Sequence, residues 1–181
     1  PMGAPAFKYE RVFQKNNVEV FSSNFSLYGD MSSRVMSILS RFTPNIEIYS
    51  IDEAFLRFEG FEKYNLESYC QKIKAMVLKW TGIPISIGVA PTKALAKVSN
   101  RIAKKFPNQT EGVYSINAEE KRIKALKWLK IKDVWGIGFK HSERLKKYTV
   151  NNAYDFISLP DNWVRKNMSV VGLRLKKELE G

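Results

Sequence analysis

Asp52 and Glu53 stand side by side in IEIYSIDEAFLRF, residues 46–58, between two runs that read as β-strand. Neighbours along a strand point to opposite faces, so the two carboxylates reach one site only where the backbone turns between or just before them. A tight strand-to-strand connection does that. An exposed acidic turn is the ordinary explanation for such a pair. Two features speak against it: the flanks IEIYSI and AFLRF are apolar enough for buried strands, and the pair lacks the Gly or Asn that two-residue hairpin tips prefer. Convergent carboxylates in a partly buried place suit a hard divalent cation, since Mg²⁺ takes oxygen ligands and keeps positions open for substrate phosphates. The chemistry indicated is metal-assisted phosphoryl transfer.

A second group of residues is suited to the phosphates. In SIGVAPTKALAKVSNRIAKKF, residues 86–106, Lys93, Lys97, Arg101 and Lys104 fall at helical spacing on one face, and Leu95, Val98, Ile102 and Phe106 on another. A solvated charged face is the commoner meaning of such a stripe. Here no acidic residue interrupts it, so the stripe is expected to repel itself unless an anion, a triphosphate or a nucleic-acid backbone, lies against it. A third group is IKDVWGIGFKHSERLKKY, where Gly136 and Gly138 flank Ile137 in a short connection between two helical runs, with Lys140 just beyond. Glycine lets backbone N–H groups approach an anion closely, and the following helix offers its N-terminus to it. Gly-hydrophobic-Gly between helices is the pattern of a helix-hairpin-helix, which holds DNA by its phosphates, although an ordinary helix connection looks similar. His141 has no second ligand or nucleophile near it and reads as a surface or helix-start residue.

The elements that position these groups form two parts. DMSSRVMSILSRF has apolar residues at Met31, Val35, Ile38, Leu39 and Phe42, a helical spacing with Asp30 as its N-cap. NLESYCQKIKAMVLKW repeats that spacing with Leu66, Tyr69, Ile73, Val77 and Trp80, and Cys70 beside the stripe reads as a core thiol. GIPISIGVA is a strand, TKALAKVSNRIAKKF a helix and GVYSI a short strand. The order helix, strand, strand, helix, strand, helix, strand predicts an α+β layer with helices on one face of a mostly antiparallel sheet. From about residue 113 the chain turns helical and basic: AEEKRIKALKWL, HSERLKKY, NAYDFISL and DNWVRKNMSVVGLRLKKELE each read as helix, with Trp128 and Trp135 in their core.

Composition limits the partners. Lys and Arg number 30 against 18 Asp and Glu, a net charge of +12, which favours a polyanion. With one Cys and one His, an internal disulfide and a Cys/His zinc site are excluded, and a reducing, cytoplasmic compartment is expected. No apolar run is long enough to span a bilayer, and no strongly amphipathic Trp-rich surface helix suggests a membrane partner.

YSIDEAF, SIGVAPTKALAKVSN and VWGIG, in this order and spacing, resemble the Y-family translesion DNA polymerases, and FSSNFSLYGDMSSRV with DEAF is similar to their UmuC-like branch, a bacterial SOS polymerase subunit. The resemblance covers nearly the whole chain. It implies a ferredoxin-like palm over residues 25–112, an all-helical thumb with a helix-hairpin-helix over 113–181, and the tail of the fingers in 1–24. It also implies catalytic metal ligands at Asp52 and Glu53 for a two-metal Mg²⁺ site, with contact to the incoming triphosphate at Lys104, less surely Lys105. DNA contacts are implied at Lys93, Lys97, Arg101, Gly136, Ile137, Gly138 and Lys140. The implied activity is error-prone nucleotidyl transfer past damaged template bases in SOS repair, on primer-template DNA and deoxynucleotide triphosphates in a bacterial cytoplasm. The implied protein partners are a UmuD-type dimer, the RecA filament and the sliding clamp.

The family's first strand, which carries a further catalytic Asp in a D-x-N-x-F-[YF] pattern, has no counterpart here, so the chain reads as an internal piece that is inactive alone. A different class of function fits the same residues: a non-catalytic DNA-binding module in which the hairpin and basic helix hold duplex and the Asp-Glu pair is structural.

Overall fold

A computed structural model describes residues 3–61 and 63–181; Pro1 and Met2, at the start of the expected 1–24 segment, lie outside them. After a 3₁₀ turn at Ala6–Lys8 and the short α1 (Glu10–Lys15), the chain enters α2 (Phe25–Leu39). The cap of α2 is Asn24, whose Oδ1 accepts from the Leu27 amide at 3.0 Å. Asp30, the cap expected from the sequence, lies inside the helix and pairs with Arg34 at 2.8 Å. The extra turn was hidden because Phe25, Leu27 and Tyr28 are exposed and add nothing to an inward apolar stripe. Helix α3 (Leu66–Thr81) is capped by Asn65 and closed by Gly82 at φ 72°. It buries Ile73 and Val77 against Val35, Met36, Ile38 and Leu39 of α2. Trp80, expected on that inner stripe, is half exposed beneath the Arg41 guanidinium, 4.8 Å from its ring centroid. Cys70 is fully buried, and burial, with Glu67 adding to it, pushes its thiol up to about 11, which leaves it unreactive.

The strands depart from the expected single, mostly antiparallel sheet. Strands β1 (Ile46–Ser50) and β2 (Glu53–Leu56) form one antiparallel pair, and β3 (Ile87–Val89) with β4 (Val113–Ser115) forms a separate parallel pair. Connection length decides this: a two-residue turn returns β2 along β1, whereas α4 (Lys93–Lys105) and the short α5 (Pro107–Thr110) carry the chain back so that β4 runs beside β3. Helix α4 lies directly on β3. A methyl group built on Gly88 would stand 2.1 Å from the Asn100 amide nitrogen and 2.3 Å from the Ala96 carbonyl, so only glycine permits the approach.

The C-terminal part consists of α6 (Glu119–Trp128), a 3₁₀ turn at Ile131–Asp133, α7 (Phe139–Lys146), α8 (Ala153–Ile157) and α9 (Asp161–Glu180). Ala94, Leu95, Val98 and Ile102 of α4 share one core cluster with Leu126, Leu145, Phe156, Val164 and Leu179. The basic helix thus packs with the helices that follow it, while α2 and α3 form a second cluster with the β1–β2 pair. Helix α9, read from sequence as one run, breaks at Ser169, whose φ of 64° and ψ of −173° are not helical. Gly172 belongs to the break, since a Cβ there would meet the Met168 Cβ at 2.4 Å. No described helix is long and apolar enough to cross a membrane.

Lys176 is the one buried cation among the described residues. Its ammonium bonds Asp161 at 2.7 Å and also Glu180, while Lys177 reaches the same two carboxylates. Hydrogen bonds from Lys176 and then Lys177 hold the Asp161 carboxyl below its ordinary value. Burial alone would raise Glu180, and the two lysines outweigh it and lower that group as well. Because both folded values are depressed, the stability they contribute is in place above the ordinary carboxylate range near about pH 4 and is lost as pH falls through the folded values. Urea midpoints measured across pH are expected to fall on that acid limb. Lys176→Met is expected to reduce the acid dependence and to cost about 2 kcal/mol at neutral pH. A midpoint that Lys176→Met leaves unchanged at neutral pH would rule out this clamp.

Candidate functional site

Ser50 pairs across the hairpin with Glu53, which leaves Ile51 and Asp52 as a two-residue connection, and the ladder slips between Ile48 and Ser50. Neither turn residue has positive φ, so the bulge, not a glycine-type turn, reconciles the connection with the strands. The Ser50 hydroxyl donates to Asp52 Oδ1 at 2.7 Å and fixes that carboxylate at the tip. The backbone therefore turns just before Glu53, as two carboxylates at one end of a sheet require. The flanks are less buried than their composition suggests. Ile48 is 61% exposed, Tyr49 48% and Ile51 52%, because β1 has a single strand partner among the described residues.

The cation stripe of α4 is in place, but it does not repel itself. Lys93 pairs with Glu47 and Lys97 with Glu53, both across the gap to the hairpin, and Arg101 Nη2 meets Asp133 Oδ1 at 2.8 Å. Those acids lie far away in sequence, which is why the stripe looked uncompensated. Lys104 alone of the four has no ion pair among the described residues. Glu53, Lys97, Arg101 and Lys104 line one cleft of about 260 Å³, closed on its other side by Leu129, Asp133 and Trp135. Asp52, Lys93, Lys105 and Lys140 do not line this cleft.

The glycine loop leads into α7 as its sequence suggests, but the run before it is a 3₁₀ turn at Ile131–Asp133 and not a second α-helix. Gly136 has φ 86°, Ile137 is buried as a plug, and Gly138 is the N-cap of α7. Gly136, Gly138, Phe139 and Lys140 are exposed around that plug, so the free amides at the start of α7 face outward. His141 sits half-buried on the first turn of α7. Trp128 lies at the rim of the core against Phe106. Trp135 packs partly on the core, and it also reaches the hairpin: its Nε1 donates to the Tyr49 hydroxyl at 3.3 Å and its ring meets Tyr49 edge-on at 5.6 Å. Sequence reasoning missed that contact and the turn at Ser169–Val171, where the Ser169 hydroxyl accepts from the Val171 amide and both valines stand exposed. Only Gly172 hinted at the second.

Among the described residues no three His, Cys, Asp or Glu side chains converge as a metal cluster. Asp52 and Glu53 nonetheless offer hard oxygen donors, and an ammonium already sits on Glu53 where a cation is favoured. The residues present therefore fit part of a divalent-cation site.

Residues 1–101 match the model of the impB/mucB/samB family. The chain belongs to that family. Protein UmuC of Salmonella typhimurium is 40% identical over 181 residues, 99% of this chain and 43% of the relative. Protein MucB of Escherichia coli is 31% identical over the same shares. The crystal structure of a DinB family error-prone DNA polymerase from Sulfolobus solfataricus superimposes with a TM-score of 0.78 at 28% identity, covering 99% of this chain and 53% of that one. An insertion ternary complex of Dbh DNA polymerase gives 0.76 at 29%, covering 98% and 51%. The chain thus spans about half or less of the proteins it matches. The likeness to UmuC-like members of the Y family carried by YSIDEAF, SIGVAPTKALAKVSN and VWGIG is borne out by these family relatives.

Proposed function

We propose that the chain is the palm (25–112) and thumb (113–181) of a Y-family translesion DNA polymerase, with 1–24 leading in from the fingers. The observation that carries the reading is the cleft that brings the hairpin carboxylate Glu53 together with Lys97, Arg101 and Lys104 beside Trp135. In this reading the hairpin belongs to a ferredoxin-like palm, and Asp52 and Glu53 hold divalent cations, Mg²⁺ in the cell. When bound, these supply an activated primer 3′-hydroxyl and neutralisation of the leaving pyrophosphate. Lys104, uncommitted and at the cleft wall, takes the triphosphate, with Lys105 beside it. Lys93, Lys97, Arg101, Lys140 and the amides around Gly136, Ile137 and Gly138 hold duplex phosphates as a helix-hairpin-helix does, without reading bases.

Lys104→Ala in the full-length protein is expected to raise KM for nucleotide roughly ten- to a hundred-fold, the effect of one charge-assisted contact, with primer-template affinity kept. An equal loss of DNA affinity would move Lys104 to the duplex contacts. Binding of duplex by the 181-residue chain is expected to be independent of sequence, and its logarithm to fall linearly with the logarithm of salt concentration. Salt-insensitive anisotropy would exclude the basic face as the contact. The Lys97–Glu53 pair also favours a second reading, a DNA-binding module whose carboxylate is structural. Metal-dependent primer extension by the full-length protein separates the two.

A further inference from the structure

Lys97 is joined to more than Glu53. Its ammonium lies 5.8 Å from the Tyr49 ring centroid and 6.0 Å from that of Trp135. Trp135 in turn packs tilted against Phe55 at 5.9 Å between ring centroids, two residues beyond Glu53, and is followed directly by the Gly136–Gly138 loop. A continuous chain of contacts therefore runs from the carboxylate, through the ammonium and the indole, to the backbone that starts α7. It crosses the cleft from hairpin to loop. The Lys97 side chain is only 23% exposed and that of Glu53 36%, so neither charge is freely solvated and each depends on the other for compensation.

A divalent cation at Glu53 and the Lys97 ammonium seek the same oxygens. Both cannot hold them at once without placing positive charges in contact inside a half-buried cleft that already holds Arg101 and Lys104. We propose that Lys97 is the resident counter-ion of Glu53, that a divalent cation displaces it, and that Trp135 acts as a positioning residue which passes this exchange to the Gly136–Gly138 loop. The inference rests on the reading of Asp52 and Glu53 as cation ligands and goes beyond it by making cation occupancy and the setting of the phosphate-holding loop two ends of one linkage. Plain packing of Trp135 against the core predicts no response of the indole to cations.

The experiment uses the chain labelled with 5-fluorotryptophan, whose four indoles give ¹⁹F resonances assigned by single Trp→Phe variants. Mg²⁺ and Ca²⁺ are titrated at constant ionic strength, and Mn²⁺ binding is followed in parallel by electron paramagnetic resonance of the free ion. The Trp135 resonance is expected to shift with saturation while those of Trp80, Trp128 and Trp163 stay. In Lys97→Met the Mn²⁺ affinity is expected to rise several-fold, because the competing ammonium is gone, and the Trp135 shift to vanish. The three unmoved resonances report that this variant is folded. Glu53→Gln is expected to abolish both responses. A Trp135 resonance that stays put while Mn²⁺ binds through Glu53 overturns the coupling alone, and so does weaker Mn²⁺ binding in Lys97→Met. Mn²⁺ binding that Glu53→Gln leaves unchanged overturns the cation-ligand reading itself, and the coupling with it.

Discussion

If the chain is the palm and thumb of a polymerase as proposed, Glu53→Gln in the full-length protein is expected to lower nucleotide incorporation by about three orders of magnitude or more, with primer-template binding kept. A metal-held carboxylate contributes several kcal/mol of charge stabilisation to phosphoryl transfer, and each 1.36 kcal/mol or so is tenfold in rate. Glutamine keeps the shape at the start of β2 and one oxygen, so the loss measures charge and not packing. It also frees Lys97, which strengthens rather than weakens the attraction of the cleft for a polyanion. Asp52→Asn is expected to act in the same direction, since Ser50 already orients that carboxylate at the turn. Primer extension with a nucleotide titration, beside anisotropy on the same primer-template, makes the comparison. Extension retained by both variants would leave the pair structural and favour the DNA-binding module.

The second large effect is one of stability. Gly88→Ala is expected to cost about 3 kcal/mol or more, because the methyl group meets backbone atoms at 2.1, 2.3 and 2.7 Å that no rotamer change can move. Relief requires α4 to back away from β3, which also moves Lys97 and Lys104 relative to the hairpin. Urea unfolding monitored by circular dichroism reads the loss. A control at Gly138, where an added Cβ meets nothing within 4 Å, should be far milder. A Gly88→Ala midpoint equal to that of the parent would show that α4 does not lie on β3 as described.

The order of helices and strands was legible because each depends on short-range periodicity: Ile73 and Val77, or Leu95, Val98 and Ile102, report an inner face whatever lies opposite. The tight connection between β1 and β2 and the turn around Gly136 were legible for a similar reason, since turn geometry is local. What failed depended on distant partners. The charges of Lys93, Lys97 and Arg101 are compensated by Glu47, Glu53 and Asp133, and no local pattern discloses which acid the fold brings near. The parallel pairing of β3 with β4 follows from the crossover through α4, not from the strands' own residues. Ser169 adopts positive φ without being Gly or Asn, so Gly172 was the one sign of the break in α9. Trp135 looked like core and is partly so, but its second contact is with Tyr49, 86 residues earlier.

The first turn of α4 is anchored from far downstream. Thr92 caps the Leu95 amide while its hydroxyl donates to the Glu178 carbonyl at 2.5 Å, and the Glu178 carboxylate accepts from the Ala94 amide at 2.9 Å. On a ribosome that tie cannot form until 86 further residues have been added, about 4 to 17 s at ordinary elongation rates. The α2–α3 cluster has all its members by then and can close early. The basic helix emerges with its Ala94 amide untethered and waits for α9 to arrive. During that interval a helix that carries five cations and no acid of its own is also unfinished at its start, a window in which ribosomal RNA is the nearest polyanion.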